Sequence, residues 1–394
     1  MSVRARSRGP IARNCDRRGL WRGLLEAPGL WGIRRPALFA GVGLLASVVL
    51  APIGNATAPG ANGRIVFERL RHADGPAWGE IFVANADGTG VTRITHPSRG
   101  TEDTNPDWSP DGSRIVFARA PSAGVHSIWT VKANGTGLQR LTPRCRAGRG
   151  IPACAADDGW PVWSPDGKHI AFQRLSGPLR PRGATVNTAK RIYKDELVVT
   201  DADGGHVRTL LWSGPWRGDP QIPTWSPDGK QLVFLQKGDN GGNCICRTLF
   251  LINADGTGLR RLTPPSIAPG DKMDWSPDGS TILFRTHPGE DLNGSSGLGA
   301  NLYTIHPDGT GLRQLTHFPP SDRVLPGSYS PDGRLIVFET TAGAVGGAPD
   351  VFVMNSDGTE IHQVMKTRNF ETQADWGPAG RLNRNSARVD ASHS

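Results

Sequence analysis

The pentapeptide Trp-Ser-Pro-Asp-Gly occurs four times, at Trp108–Gly112, Trp163–Gly167, Trp225–Gly229 and Trp275–Gly279. Tyr329–Gly333 is a fifth copy with Tyr in first place, and Trp376–Gly380 (WGPAG) is a decayed sixth. The leading aromatic residues stand 55, 62, 50, 54 and 47 residues apart. A second motif alternates with the first: 85–90 (NADGTG), 132–137 (KANGTG), 201–205 (DADGG), 253–258 (NADGTG), 306–311 (HPDGTG) and 355–359 (NSDGT). Self-similarity at this period means that one supersecondary unit is copied around or along the molecule.

The residues between the motifs have the pattern of strands. Each SPDG is followed by an Ile/Leu-x-Phe run, with Ile115 and Phe117, Ile170 and Phe172, Leu232 and Phe234, Ile282 and Phe284, and Ile336 and Phe338. Period-two alternation of branched and aromatic residues is that of a half-buried strand. Pro presets φ at the second turn position and Gly accepts a positive φ, so Pro-Asp-Gly turns the chain. The aromatic residue therefore ends a strand A, and Ile-x-Phe is strand B. Runs such as 128–131 (IWTV) before the Asp/Asn-Gly motif and 138–142 (LQRLT) after it are strands C and D, joined by a two-residue hairpin signal. Four antiparallel strands per ~50 residues is a propeller blade.

The N-terminal copy, with Ile65-Val66-Phe67, Ile81-Phe82-Val83 and Val91–Thr95, supplies B, C and D but no A. An unpartnered A strand ends the repeats at Ala374-Asp375-Trp376. The expected fold is all-β: a six-bladed β-propeller whose ring closes when the C-terminal strand A joins the N-terminal strands B, C and D. Closure also removes a sheet edge open to aggregation. WSPDG followed by a strand and then an NADGTG turn resembles the WD40-like repeat of the TolB family of six-bladed β-propellers, over about residues 62–380. The resemblance implies the fold, and TolB itself is periplasmic. TolB carries an α/β domain ahead of its propeller, whereas only an export segment is read here, so the partner set of TolB is not carried over.

Composition refines the picture. Gly and Pro, 51 and 32 residues, are too many for a chain of long helices, and twelve Trp with twelve Phe are too many for a disordered one. The net charge of +9 suggests nucleic-acid binding only until it is located. Residues 1–58 hold nine Arg against Asp16 and Glu26, which leaves +2 for the rest; a nucleic-acid groove would need its charge on the folded part. The Arg-rich start, the apolar stretch 37–53 and Ala56-Thr57-Ala58 follow the order of an export signal. Residues 1–58 are read as that signal, or as a retained membrane anchor, 62–380 as the propeller and 381–394 as a disordered tail. Export suits the four cysteines beyond the signal, Cys145, Cys154, Cys244 and Cys246, as disulfide candidates. The spacing leaves their pairing open, with Cys145–Cys154 favoured by proximity.

The SPDG and DG turns share one face of such a ring. The long insertions, at 144–159, 176–194, 237–247 and 287–300, fall on the other, and loops on a rigid scaffold are where binding residues gather. A carboxylate precedes each strand A: Asp103, Asp158, Asp219, Asp271, Asp322 and Glu371. They are expected around the channel mouth on the insertion-bearing face, as turn-forming residues or as a ring able to hold a divalent cation or a cationic peptide. No other cofactor is implied. G-x-S-x-G, H-E-x-x-H and His pairs at i, i+4 are absent from the sequence. The expected function is a monomeric protein- or peptide-binding module of the envelope, periplasmic or extracellular. A propeller hydrolase or lyase using the carboxylates is the alternative.

Overall fold

The computed structural model describes residues 59–71, 78–121, 125–142, 154–178, 194–213, 219–239, 245–264, 267–286, 300–319, 321–342, 348–366 and 369–380. Blade 1 begins with β1 (Asn62–Arg71), β2 (Trp78–Ala84) and β3 (Thr92–Arg93). Blade 2 is β4 (Thr101–Trp108), β5 (Arg114–Pro121), β6 (Ser127–Lys132) and β7 (Gln139–Arg140). Blade 3 is β8 (Cys154–Trp163), β9 (His169–Pro178), β10 (Lys194–Asp201) and β11 (Arg208–Trp212), and blade 4 is β12 (Asp219–Trp225), β13 (Gln231–Asp239), β14 (Ile245–Asn253) and β15 (Arg260–Arg261). Blade 5 is β16 (Asp274–Trp275), β17 (Ile282–Thr286), β18 (Asn301–Ile305) and β19 (Arg313–Gln314). Blade 6 is β20 (Val324–Tyr329), β21 (Leu335–Thr340), β22 (Asp350–Asn355) and β23 (His362–Met365). The last strand, β24 (Phe370–Pro378), returns to blade 1, whose order is β24-β1-β2-β3. The closing strand sets Trp376 opposite Ile65 and Asp375 opposite Val66, antiparallel.

The Ile-x-Phe strands form the core because both their faces are covered. Phe67, Phe117, Phe172, Phe234, Phe284 and Phe338 are all fully buried. Trp108 packs with Val66, Ile81 and Val83 of blade 1 as well as with its own Ile115 and Phe117, so the repeated aromatic residue is a plate between blades. The indole N–H groups of Trp108, Trp163, Trp225, Trp275 and Trp376 meet no hydrogen-bond partner among the described residues, which fits that apolar role. Tyr329 replaces Trp in blade 6 and lies 3.0 Å through its hydroxyl from Thr281 Oγ1 of blade 5.

The turns show why the motifs repeat. In SPDG, the Asp111 carboxylate accepts from Ser109 Oγ (2.6 Å) and from the Ser113 N–H (3.0 Å), and Asp166, Asp228, Asp278 and Asp332 accept from their own Ser hydroxyls in the same way. The C–D connections differ from the two-residue expectation. Lys132 N–H donates to Thr136 O (2.9 Å) and Gly135 stands at φ +84°, which is a three-residue loop with the third residue left-handed. Glycine is needed there twice over. A Cβ on Gly88 would stand 1.9 Å from Val364 O of blade 6, so each such turn sits directly on the backbone of the preceding blade.

Candidate functional site

Of the six carboxylates expected ahead of strand A, Asp103, Asp158, Asp219 and Glu371 lie within it, because pairing with strand B runs further back than the aromatic repeat indicates, and only Asp271 and Asp322 precede β16 and β20. The six do not share one environment. Asp103 is fully buried and is held by Arg119, Nε to Oδ1 at 2.5 Å and Nη2 to Oδ2 at 2.7 Å. Asp158 is held likewise by Arg174, at 2.6 and 3.0 Å, and Glu371 by Arg69, Nε to Oε1 at 2.9 Å. Each of these arginines lies two residues after the core Phe on strand B, with its guanidinium 5.1–5.7 Å from that ring. A carboxylate on A, a guanidinium on B and a ring beneath make one repeated clamp. Asp271 accepts from Arg285 Nη2 (2.9 Å) and remains half-exposed.

The other two carboxylates have different partners. Asp219 faces Lys237 in register and lies beside Asp195 of blade 3. Burial first, and then the Asp219 charge, raise Asp195 from 3.8 to about 7. Asp322 accepts from the neighbouring Ser321 hydroxyl at 3.2 Å. Of the cysteines, Cys145 and Cys244 lie outside the described residues, as do the side chains of Cys154 in β8 and Cys246 in β14. Residues 1–58 and 381–394 lie outside them too. Among the described residues no three His, Cys, Asp or Glu side chains are grouped so as to hold a metal ion.

A different set of residues lines the channel. Its central cavity is small, about 30 Å³, and Asp107, Asp274, Asp375 and Lys272 are on its wall. These aspartates immediately precede the repeated aromatic residue, and each accepts a backbone N–H from the next blade. Asp375 takes Trp108 N–H (3.0 Å), Asp107 takes Trp163 N–H (2.7 Å) and Asp274 takes Tyr329 N–H (2.8 Å). Ser328 does the same for Trp376 (2.6 Å). Burial, with the charge of Asp375, pushes Asp107 well above the usual carboxylate range. The Asp-Trp pair at three copies was the available sequence signal for this ring of latches.

Across the channel, Lys272 donates to the carbonyl of Ala374 on β24. It stands at φ +56°, and Asn105 (52°), Trp160 (54°), Ile222 (54°) and Gln373 (60°) occupy the same place, three residues before the aromatic. The left-handed region costs a residue with a side chain ~1–2 kcal/mol. Four inner strands, β4, β8, β12 and β24, and the approach to β16 therefore carry a local kink at one level of the channel. In blade 6 the register shift falls at Pro326–Ser328, where a Cβ on Gly327 would stand 1.8 Å from Val337 O. Buried acids cap the kinks. Glu68 Oε2 accepts from Thr104 Oγ1 (2.5 Å) and Asn105 N–H (3.2 Å), and Glu339 Oε1 accepts from Ala374 N–H (2.6 Å). Burial is the main cause that raises Glu68 to about 7 and Glu339 to about 8.

On the insertion-bearing face, His126 Nδ1 lies 2.8 Å from Asp157 Oδ1, and the His126 backbone N–H donates to the same oxygen at 2.7 Å. Burial opposes protonation of His126, but Asp157, Glu102 and Glu68 outweigh it and raise the imidazole pKa. The opposite side of the face is basic, with Arg247, Arg285 and Arg323 near Asp271.

Comparison with known proteins agrees with the architecture. No family model matches the chain. An uncharacterised protein of Agrobacterium fabrum is 29% identical over 159 residues, 40% of this chain and 47% of that protein. The uncharacterised peptidase YuxL of Bacillus subtilis is 30% identical over 136 residues, 33% of this chain and 17% of that protein. The chain thus spans less than half the length of these curated relatives. Among solved structures, TolB of Acinetobacter baumannii superposes with a TM-score of 0.58 at 20% identity, covering 80% of this chain and 67% of that one. With six four-stranded sheets closed by β24, the chain has the fold of a TolB-like six-bladed β-propeller.

Proposed function

We propose that the chain is an exported propeller that docks a protein or peptide of the cell envelope on its insertion-bearing face, as a monomer and without catalysis of its own. The observation that carries this reading is the contrast between the two faces. On the turn face the polar groups of the repeats are taken up by their own turns, blade after blade. On the opposite face the blades differ. The B strand of blade 4 (Gln231–Asp239) is three residues longer than that of blade 6 (Leu335–Thr340), which raises a wall of about 10 Å at ~3.3 Å per residue. Charged side chains of both signs stand beside it. Residues 1–58 serve as the export signal or anchor in this reading, and the similarity to TolB supports an envelope setting.

The test is recovery of an envelope partner by the full chain and by two double variants. Glu102→Lys with Asp322→Lys alters the insertion-bearing face. Lys230→Glu with Asp308→Lys alters the turn face. A partner retained by the second variant and lost by the first supports the reading, and equal recovery by both sinks it.

A second reading has one observation in its favour. The His126–Asp157 couple, flanked by Glu68 and Glu102, has the chemistry of a general base, and a relative is a peptidase. Turnover of peptide substrates that is lost in His126→Asn, or heat on titration with millimolar calcium, would favour a hydrolase or lyase, with or without a divalent cation.

A further inference from the structure

We propose that Asn134 is a site of self-modification: with water as the co-reactant, its side-chain amide is lost as ammonia and the residue becomes aspartate. The position departs from the repeat. In the C–D turn five blades carry Asp before Gly, at Asp87, Asp203, Asp255, Asp308 and Asp357, and blade 2 carries Asn. Asn134 is exposed on the turn face. Gly135 stands at φ +84° and has no Cβ to crowd the approach of its own nitrogen to the neighbouring side chain. Asn134 Oδ1 accepts from the Thr136 N–H (3.1 Å) and from Thr136 Oγ1 (2.8 Å). Two donors on one oxygen draw electrons from Cγ, and they stand where they hold the negative charge that this oxygen gains when a nucleophile adds.

The chemistry balances with water alone. The Gly135 nitrogen forms a bond to Asn134 Cγ, the Cγ–Nδ2 bond breaks, and Nδ2 leaves as ammonia with the proton that Gly135 gave up. Water then opens the cyclic imide, at Cγ to aspartate or at the backbone carbonyl to isoaspartate. The brake is the Gly135 N–H, which donates to Lys132 O at 2.8 Å and is released when the turn opens locally. The fold selects the product. Asp87 takes the equivalent pair of bonds from Thr89 at 2.9 and 2.6 Å, and Asp255 from Thr257 at 2.8 and 2.6 Å. Those threonines hold both carboxyls below the usual carboxylate range, and a charged acceptor makes such bonds stronger than an amide does. Isoaspartate adds a backbone atom to a turn without slack, since a Cβ on Gly135 would already stand 3.0 Å from Ile94 O of blade 1. Reaction in the folded chain therefore yields aspartate and gives blade 2 the turn of its five neighbours.

A second Asn-Gly pair among the described residues supplies the control. Asn62-Gly63 begins β1, Asn62 lies opposite Pro378 of the closing strand, and a Cβ on Gly63 would stand 2.2 Å from Pro378 O. Asn62 Oδ1 accepts the Asp332 N–H at 3.1 Å. The test is mass-spectrometric peptide mapping of the full chain held for weeks in mildly alkaline buffer, with aspartate and isoaspartate separated by chromatography. Asn134 is expected to react about tenfold or more faster than Asn62, because strand pairing opens less readily than an exposed turn, and to give mostly aspartate. The same chain in urea should modify both pairs alike. Thr136→Val should slow Asn134 by about tenfold, short of the ~100-fold or more that a buried oxyanion donor is worth, and Thr136→Ser should restore the rate. Thermal melting checks that each variant is folded. Four outcomes overturn the proposal: an intact Asn134, equal rates at the two pairs in the folded chain, mostly isoaspartate at Asn134, or a faster reaction in Thr136→Val, which would mean that the threonine guards the amide.

Discussion

Replacing Glu339 by Gln isolates the energetics of a buried acid in the ring. Glu339 is fully buried, one oxygen accepts the Ala374 N–H, and the other meets no partner among the described residues. Burial raises its pKa from 4.5 to about 8; Glu68 adds to the rise, and the Ala374 N–H and Lys272 oppose it. An acid with a raised pKa holds more protons when folded than when unfolded. Its favourable contribution is therefore complete below pH 4.5 and is lost as pH climbs through 8. At ~1.4 kcal/mol per unit, that span corresponds to roughly 4–5 kcal/mol. Gln keeps the acceptor for Ala374 and has no charge to desolvate. Glu339→Gln should lie within about 1 kcal/mol of the parent at pH 5 and exceed it by roughly 3–5 kcal/mol at pH 9. Urea unfolding at constant ionic strength, repeated at each pH, reads the difference directly. Parallel stability curves from pH 5 to 9 would refute the reasoning, because they would show that the carboxyl is as well solvated in the fold as in the unfolded chain.

Two further substitutions probe the backbone. Gly88→Ala places a Cβ against Val364 O at a positive φ and should destabilise by about 2 kcal/mol or more in thermal or urea unfolding; an unchanged midpoint would mean that the blades separate easily at their outer turns. Gln373→Gly removes a side chain held at φ +60° whose buried Oε1 has no partner among the described residues, and should stabilise by about 1 kcal/mol. A loss on melting would show that packing of Gln373 in the channel outweighs the backbone strain.

The fold was legible because the signal was repeated. Trp-Ser-Pro-Asp-Gly states a strand end, a turn and a strand start in five residues, and six copies leave the ring little freedom. The clamps were half-legible. Asp103, Asp158 and Glu371 were visible as acids recurring ahead of the aromatic residue. Their partners Arg69, Arg119 and Arg174 follow a Phe-x-Arg pattern whose meaning depends on A–B register. Glu68, Arg285 and Glu339 were visible as charges interrupting apolar runs, at the residue after Phe. Which neighbour each reaches is set by inter-blade packing, and that information is not local. The kinks were illegible: among Asn105, Trp160, Ile222, Lys272 and Gln373, only Asn has any leaning toward the left-handed region.

The pairing of β24 with β1 has a consequence in time. Arg69 and Glu371, which clamp that sheet, are separated by 302 residues. At a synthesis rate of ~5–20 residues per second, β1 waits roughly 15–60 s for its neighbour to emerge. Throughout that interval the first sheet presents an unsatisfied row of backbone donors and acceptors. Ring closure is therefore the last step of folding, and until it occurs the edge of β1 depends on being kept from other chains.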